Sequence, residues 1–364
     1  MKVAIVHYWL TGMRGGELVL ESLCRMYPDA DIFTHVYVPE KVSPEIRAHK
    51  IITTFVQNLP FAKKYYQTYL PFMPLALEQL DLSCYDLVIS SEAGPSKGVI
   101  TRPDAVHVCY CHSPMRYIWD QYHVYSAGAG RLKRLIFALI AHYLRLWDVS
   151  SASRVDKFIA NSNFVARRIM KFYRRDSVVV FPPVRIEKFK LSLGNDDFFL
   201  MVGQLVEYKA PLIAVETFLR NGKQLVIVGD GPLALKIEQL VVGRSNISYL
   251  GKVDDEKLAD LYGRCKALIF PGVEDFGIVP LEAMASGKPV VALSRGGALD
   301  TVIDGKTGYF FDEPTVSSLD DAISKLEDHG VSLSPNEIRL HALSYSTAIF
   351  ENRLKEEIDE SINS

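Results

Sequence analysis

Glu274-Asp275-Phe276-Gly277-Ile278-Val279-Pro280-Leu281-Glu282-Ala283-Met284-Ala285-Ser286-Gly287-Lys288-Pro289-Val290 decides how the rest of this chain is read. The apolar run ahead of it, Ala267-Leu268-Ile269-Phe270, has the character of a strand and stops at Pro271-Gly272. After Gly277 the spacing turns helical, and beyond Gly287-Lys288-Pro289 a second apolar strand opens at Val290-Val291-Ala292-Leu293. One acid, Glu274, therefore sits in the loop before a helix, and Glu282 follows inside that helix. A helix start offers free N–H groups and a partial positive charge, which suits a phosphate. Carboxylates beside such a start can accept hydrogen bonds from sugar hydroxyls. Together these features predict a nucleotide-sugar pocket.

The segment resembles the E-x7-E signature of retaining glycosyltransferases of the two-domain GT-B fold, glycosyltransferase family 4. The likeness includes both acids, the Phe-Gly between them and the Glu-Ala-Met-Ala-x-Gly-x-Pro-Val ending. It implies a donor site that includes Glu274, Phe276, Gly277, Ile278, Val279 and Glu282, with Glu274 on the sugar and Glu282 on the ribose.

Outward from this stretch, apolar runs alternate with helical patterns throughout, which marks parallel α/β domains. Strands are expected at 3–7, 31–36, 51–55, 87–90, 106–111, 157–160 and 178–181, then at 198–202, 225–228, 247–250, 267–270, 290–293 and 309–311. Between the two series, Pro182-Pro183-Val184 and the polar run up to Asp197 read as a linker. A length of 364 residues suits two domains. The fold class is thus α/β, with two Rossmann-like domains facing a cleft. The boundaries are an acceptor-binding domain over 1–183, a nucleotide-sugar domain over 184–345, and a closing helix over 346–364. The resemblance implies that this helix packs back on the first domain.

Composition narrows the class. Hydrophobic content of 48% and charged content of 23% are ordinary for a soluble protein. The five cysteines are odd in number and lack C-x-x-C pairing, which favours a reduced, cytoplasmic setting. The start, Met1-Lys2-Val3-Ala4-Ile5-Val6-His7, reads as a strand rather than a signal peptide. No apolar run approaches the roughly 20 residues of a membrane span.

Gly203-Gln204-Leu205-Val206-Glu207-Tyr208-Lys209 ends a strand with a lysine able to reach a diphosphate. It resembles the family's G-R-L-x-x-x-K element, whose arginine and lysine hold the pyrophosphate, but Gln204 stands at the arginine position. Gly229-Asp230-Gly231-Pro232 has the outline of a dinucleotide fingerprint. It follows the second strand of its domain, however, and no acid stands ready for a ribose after the next strand. Pro232 is expected to be the first residue of a helix. The motif instead resembles the family's turn on the nucleotide side, and the resemblance adds Val253 to the donor contacts. Gly15 and Gly16, after the first strand, would let a phosphate or sugar approach the backbone.

His107-Val108-Cys109-Tyr110-Cys111-His112 could suggest zinc, but alternate strand positions lie roughly 6.8 Å apart, too wide for a compact tetrahedral site. His112 opens His112-Ser113-Pro114-Met115-Arg116-Tyr117-Ile118-Trp119-Asp120, which resembles a run in bacterial polysaccharide mannosyltransferases of the O-antigen type. The resemblance implies that His112 contacts the donor sugar and supports catalysis. Asp29-Ala30-Asp31 has a D-x-D form but a turn context, and reads as structural.

Between Arg131 and Arg175 eleven basic residues face only two acids, Asp148 and Asp156. The stretch 131–147 interleaves bases with apolar residues, and Lys63, Lys64, Tyr65, Tyr66, Tyr69, Phe72 and Met73 could extend the same surface. Two readings fit: a core helix with a solvated basic edge, or a helix on an anionic membrane. No nucleic-acid motif accompanies the bases.

The resemblance therefore implies a retaining glycosyltransferase with catalytic residues His112, Glu274 and Lys209. It needs no metal and no cofactor beyond its nucleotide-sugar substrate. GDP-mannose is the first expected donor and a UDP-sugar the rival. The acceptor would be lipid-linked or an oligosaccharide in surface polysaccharide synthesis, and the location cytoplasmic, with peripheral contact on the inner face of the cell membrane. A nucleotide-sugar-binding subunit without turnover is the rival from another class, because Gln204 brings no charge.

Overall fold

The computed structural model describes residues 1–126, 130–329 and 333–363. Its contacts divide the chain into two units, Met1–Pro183 with Phe350–Ser364, and Val184–Ile349.

The first unit is built on a parallel sheet of β1 (Val3–His7), β2 (Asp31–Thr34), β3 (Ile51–Thr53), β4 (Leu87–Glu92), β5 (Val106–Cys111), β6 (Lys157–Ala160) and β7 (Val178–Val179). Their spatial order is β3-β2-β1-β4-β5-β6-β7. Val3–His7 reads as a nearly unbroken apolar run because helices cover both faces of such a sheet, whereas Leu87–Glu92 and Val106–Cys111 also bury the polar Ser90, Ser91, Glu92 and His107. The chain runs outward from β1 through β2 to β3, then returns to the other side of β1 with β4. That reversal makes the β1/β4 junction a switch point, where the strand ends leave a crevice. The closing helix, Thr347–Ile362, places Phe350, Leu354 and Ile358 in the core beside Ile5, Val108 and Tyr110. The spacing of those three residues keeps them on one helix face. Arg25–Glu351 at 2.7 Å and Lys157–Glu357 at 2.6 Å hold its rim.

The second unit carries β8 (Phe199–Val202), β9 (Leu225–Val228), β10 (Ile247–Tyr249), β11 (Ala267–Phe270), β12 (Val290–Leu293) and β13 (Gly308–Phe311), all parallel, in the order β10-β9-β8-β11-β12-β13. Its switch point falls between β8 and β11. Each strand expected from the sequence is present, with ends displaced by no more than a residue or two.

Three expectations are corrected. The run from Val184 to Asp197 is not a free linker: Val184, Ile186 and Phe189 are buried, and Phe189 meets the Tyr262 ring edge-on at 5.5 Å. Pro232 does not begin a helix, because that helix is Ala234–Val241 and Pro232 lies in the turn before it. Finally, Arg131–Ala152 forms one helix of 22 residues, long and apolar enough by length and composition to cross a membrane. The bases at 131, 133, 134 and 145 had hidden that length by breaking its apolar runs. The helix buries Ala141, Leu144, Trp147, Asp148, Ser151 and Ala152, which is the pattern of an amphipathic helix packed on one side.

Candidate active site

On the second unit, the predicted residues gather where β8, β9 and β11 end. Lys209 lies in the turn after β8 and Glu274 in the loop after β11, so the two flank the switch point. Their side chains meet: Lys209 Nζ stands 2.8 Å from Glu274 Oε1, each side chain about one-fifth exposed. Backbone bonds lace the same loops together. Val273 N–H donates to Tyr208 O at 3.2 Å, and Gly297 N–H donates to Glu274 O at 2.9 Å. A narrow pocket among Gly203, Gln204, Leu205, Lys209, Gly272 and Glu274 opens over the pair.

Gly229, Asp230 and Gly231 pack against the turn after β8. Gly229 has φ +138°, and a Cβ there would stand 1.8 Å from Gly203 O, so only glycine fits. Leu205 N–H donates to Asp230 O, and the Asp230 carboxylate accepts the Gly231 N–H at 2.7 Å. Val253, half-buried, lies one strand further out, after β10. Gln204 is exposed.

Gly277, at φ +91°, turns the chain into the helix Ile278–Ala285. Phe276 is buried beneath that start, while Ile278 and Val279 are partly exposed on its first turn. Glu282 accepts a hydrogen bond from Tyr262 Oη at 2.8 Å. Burial pushes its carboxyl up to about 7, against the opposing effect of the Tyr262 bond. Tyr262 is a site residue that sequence reading missed. Its signal was weak, a lone tyrosine on the amphipathic helix Asp255–Arg264, where it reads as one more apolar residue beside Leu258 and Leu261.

A larger cavity of about 580 Å³ in this unit is lined by Lys188, Asp255, Asp260 and Arg264, among others. It is not the better site, because its charges are largely spent on one another: Lys188–Asp255 at 2.6 Å and Arg264–Asp260 at 3.1 Å.

On the first unit, Gly15, Gly16 and His112 come together at the β1/β4 switch point. Gly15 and Gly16 begin the helix Gly15–Met26, and a Cβ on Gly16 would lie 2.4 Å from Tyr8 Oη and 3.6 Å from His112 Nε2. His112 follows β5, and its ring meets Tyr110 edge-on at 5.2 Å. Burial, with His7 nearby, lowers its imidazole to about 3, so the ring is neutral at ordinary pH. His112 Nε2 is 2.8 Å from Ser91 Oγ.

The rest of the His112–Asp120 run is anchored below. Trp119 Nε1 donates to Asp148 at 2.7 Å, and Arg168 pairs with Asp120 at 2.5 Å. Asp148 in turn pairs with the buried Lys97, which also meets Glu92 at 3.3 Å. Elsewhere, Asp31 is held by the Tyr85 hydroxyl and Asp29 is exposed. His107 bonds Ser90 and the Arg154 carbonyl.

Two doubly wound parallel sheets, the second bearing a lysine and a glutamate across its switch point, have the architecture of a GT-B glycosyltransferase. Two family models together match nearly the whole chain: Glycosyltransferase Family 4 over residues 13–188 and Glycosyl transferases group 1 over residues 183–339. The chain belongs to this glycosyltransferase family. It is 27% identical to the alpha-1,3/1,6-mannosyltransferase ALG2 of Dictyostelium discoideum, over 60% of each chain. It is 26% identical to the O-antigen chain mannosyltransferase RfbU of Salmonella typhimurium, over 51% of this chain and 58% of that one. The solved structure of Anabaena Alr3699/HepE in complex with UDP shares the fold, with a TM-score of 0.72 over 99% of this chain and 100% of that one at 16% identity. The chain spans about half to three fifths of the length of the curated relatives it matches.

Proposed function

We propose that this chain is a retaining, metal-independent hexosyltransferase that moves mannose from GDP-mannose to a lipid-linked or oligosaccharide acceptor in surface polysaccharide synthesis. The observation that carries the reading is the Lys209–Glu274 pair at the switch point of the second unit. A diphosphate would draw Lys209 away from Glu274, and the freed carboxylate would then accept hydroxyl hydrogens from the sugar. Glu282 is assigned to the ribose, and His112 to the transferred sugar.

In a front-face transfer, the bond from the anomeric carbon to the leaving phosphate oxygen breaks as the acceptor oxygen bonds on the same face. The acceptor's proton passes to that phosphate oxygen. Negative charge grows on the diphosphate, so Lys209 and the N–H groups after Gly277 stabilise the transition state more than the ground state.

The choice of mannose rests on the relatives named as mannosyltransferases, whereas the UDP complex of a structural neighbour keeps a UDP-sugar as the rival. Incubation with each donor decides between them. Turnover or slow hydrolysis of GDP-mannose is expected, hydrolysis of a UDP-sugar alone would replace the donor, and no hydrolysis of any donor would favour a silent binding subunit.

The proposed location is the inner face of an anionic membrane. Leu132, Leu135, Ile136, Leu139, Tyr143 and Leu146 form one stripe along the helix Arg131–Ala152, and each is exposed by 45% or more. An apolar stripe of this size on a surface calls for a partner. Arg131, Lys133 and Arg134 are exposed at its start. Phe72 and Leu75 are exposed too, on or beside the helix Met73–Glu78, whose Glu78 accepts a bond from Trp147 at 3.1 Å. Cations beside an apolar stripe complement anionic headgroups over acyl chains. Met73, expected in this surface, is fully buried, and Tyr66 and Tyr69 are only partly exposed.

A further inference from the structure

Ser91, near the end of β4, stands between two imidazoles. Its Oγ is 3.0 Å from His7 Nδ1 and 2.8 Å from His112 Nε2. The parallel register that sets His7 beside Ser91 creates this arrangement, although the three residues are far apart in sequence. His7 is 1% exposed, and its other nitrogen, Nε2, has no hydrogen-bond partner. That nitrogen faces Glu17 Oε1 at 3.7 Å. Glu17 is also buried, and its second oxygen accepts the Arg14 N–H at 2.8 Å.

A hydroxyl has one proton and two lone pairs, so Ser91 donates to at most one ring and accepts from the other. If it donates to His112, a neutral His7 must carry its proton on Nδ1. The bare lone pair on His7 Nε2 would then face the Glu17 carboxylate, acceptor against acceptor, in a buried place where such a clash is costly. If Ser91 donates to His7 instead, the His7 proton sits on Nε2 and points toward Glu17. Ser91 then accepts from His112 Nε2–H, and His112 Nδ1 is left bare.

We propose that Glu17, His7 and Ser91 form a positioning relay that fixes the tautomer of His112, making its Nδ1 an acceptor for a hydroxyl of the transferred sugar. The sugar contact rests on the function proposed above, whereas the tautomer does not depend on it. The relay also bears on specificity. An acceptor nitrogen favours a donor sugar that presents a hydroxyl over a deoxy analogue, because the analogue leaves the nitrogen unpaired.

The relay is tested by nitrogen-15 NMR of histidine-labelled protein at neutral pH, with His7 and His112 assigned by substitution. The expected result is protonated Nε2 and bare Nδ1 on both rings. In Ser91→Ala, His112 should lose this preference and become a mixture of tautomers. A proton on His112 Nδ1 in the wild type, a doubly protonated His7, or an unchanged His112 signal in folded Ser91→Ala would each overturn the relay. Donor turnover by Ser91→Ala should show kcat lower by about tenfold or more, with nucleotide Kd unchanged, as expected for a misoriented contact. Wild-type kcat in Ser91→Ala, with His112→Ala inactive, would overturn the positioning role alone. A fully active His112→Ala would overturn the assignment of His112 to the sugar, while the NMR result would still judge the tautomer.

Discussion

Lys209 Nζ and Glu274 Oε1 are 2.8 Å apart, one after β8 and the other after β11, so each neutralises the other across the switch point of the second unit. The pairing compensates two charges whose side chains are each only about one-fifth exposed. It also separates two roles, since the lysine would take the phosphate and the glutamate the sugar.

Glu274→Gln should therefore leave nucleotide affinity unchanged or slightly tighter, because Lys209 no longer has a carboxylate to leave. Turnover should fall by about ten- to a hundredfold, the usual cost of a lost charged hydrogen bond. Calorimetry beside a donor-hydrolysis assay measures both quantities. Unimpaired turnover would remove Glu274 from the reacting site.

Glu282 gives a pH signature. Its carboxyl is raised to about 7 by burial, above the ordinary 4.5. A raised carboxyl stabilises the fold at low pH, and that contribution is lost as pH rises through the folded value. Ribose binding has the opposite sign, because the ionised form is the better acceptor. Nucleotide affinity should rise between about pH 6 and 8, more in the wild type than in Glu282→Gln, and comparing the two cancels the nucleotide's own titration. Identical profiles would exclude Glu282 from the ribose contact.

Much of this arrangement was legible in the sequence. Parallel strands covered on both faces read as plain apolar runs, which is why the boundaries of β8, β9, β11 and β12 came out within a residue. A proline directly after Gly231 fits a turn as well as a helix start, and the backbone bond from Leu233 N–H to Leu205 O favours the turn at Pro232. The buried Val184, Ile186 and Phe189 were masked by the polar residues around them. His7, Glu17 and Ser91 could not be grouped at all, since only the register of β1 on β4 joins them.

Gly229→Ala should destabilise the second unit. At φ +138° any side chain is strained, and its Cβ would sit 1.8 Å from Gly203 O. A loss of about 3 kcal/mol or more is expected, read as a lower urea midpoint. An unchanged midpoint would mean that the turns after β8 and β9 are not packed as described.

Binding to anionic vesicles should fall as salt rises, since each Lys or Arg near such a surface contributes about 1 kcal/mol, an effect that fades within a Debye length. Changing Arg131, Lys133 and Arg134 to Glu should weaken it further, and neutral vesicles should bind weakly. Sedimentation indifferent to both changes would contradict the membrane face. A salt-insensitive dimer in analytical ultracentrifugation would assign the stripe to a second copy of the chain.

In the proposed function, Lys209 and its neighbours hold a nucleoside diphosphate. The most direct measurement is calorimetric titration of the wild type and Lys209→Ala with GDP, UDP and ADP. GDP is expected to bind tightest, and Lys209→Ala to weaken it by about tenfold or more, the cost of a lost charge-assisted bond. No binding of any of the three, or equal affinity in wild type and Lys209→Ala, would contradict that function.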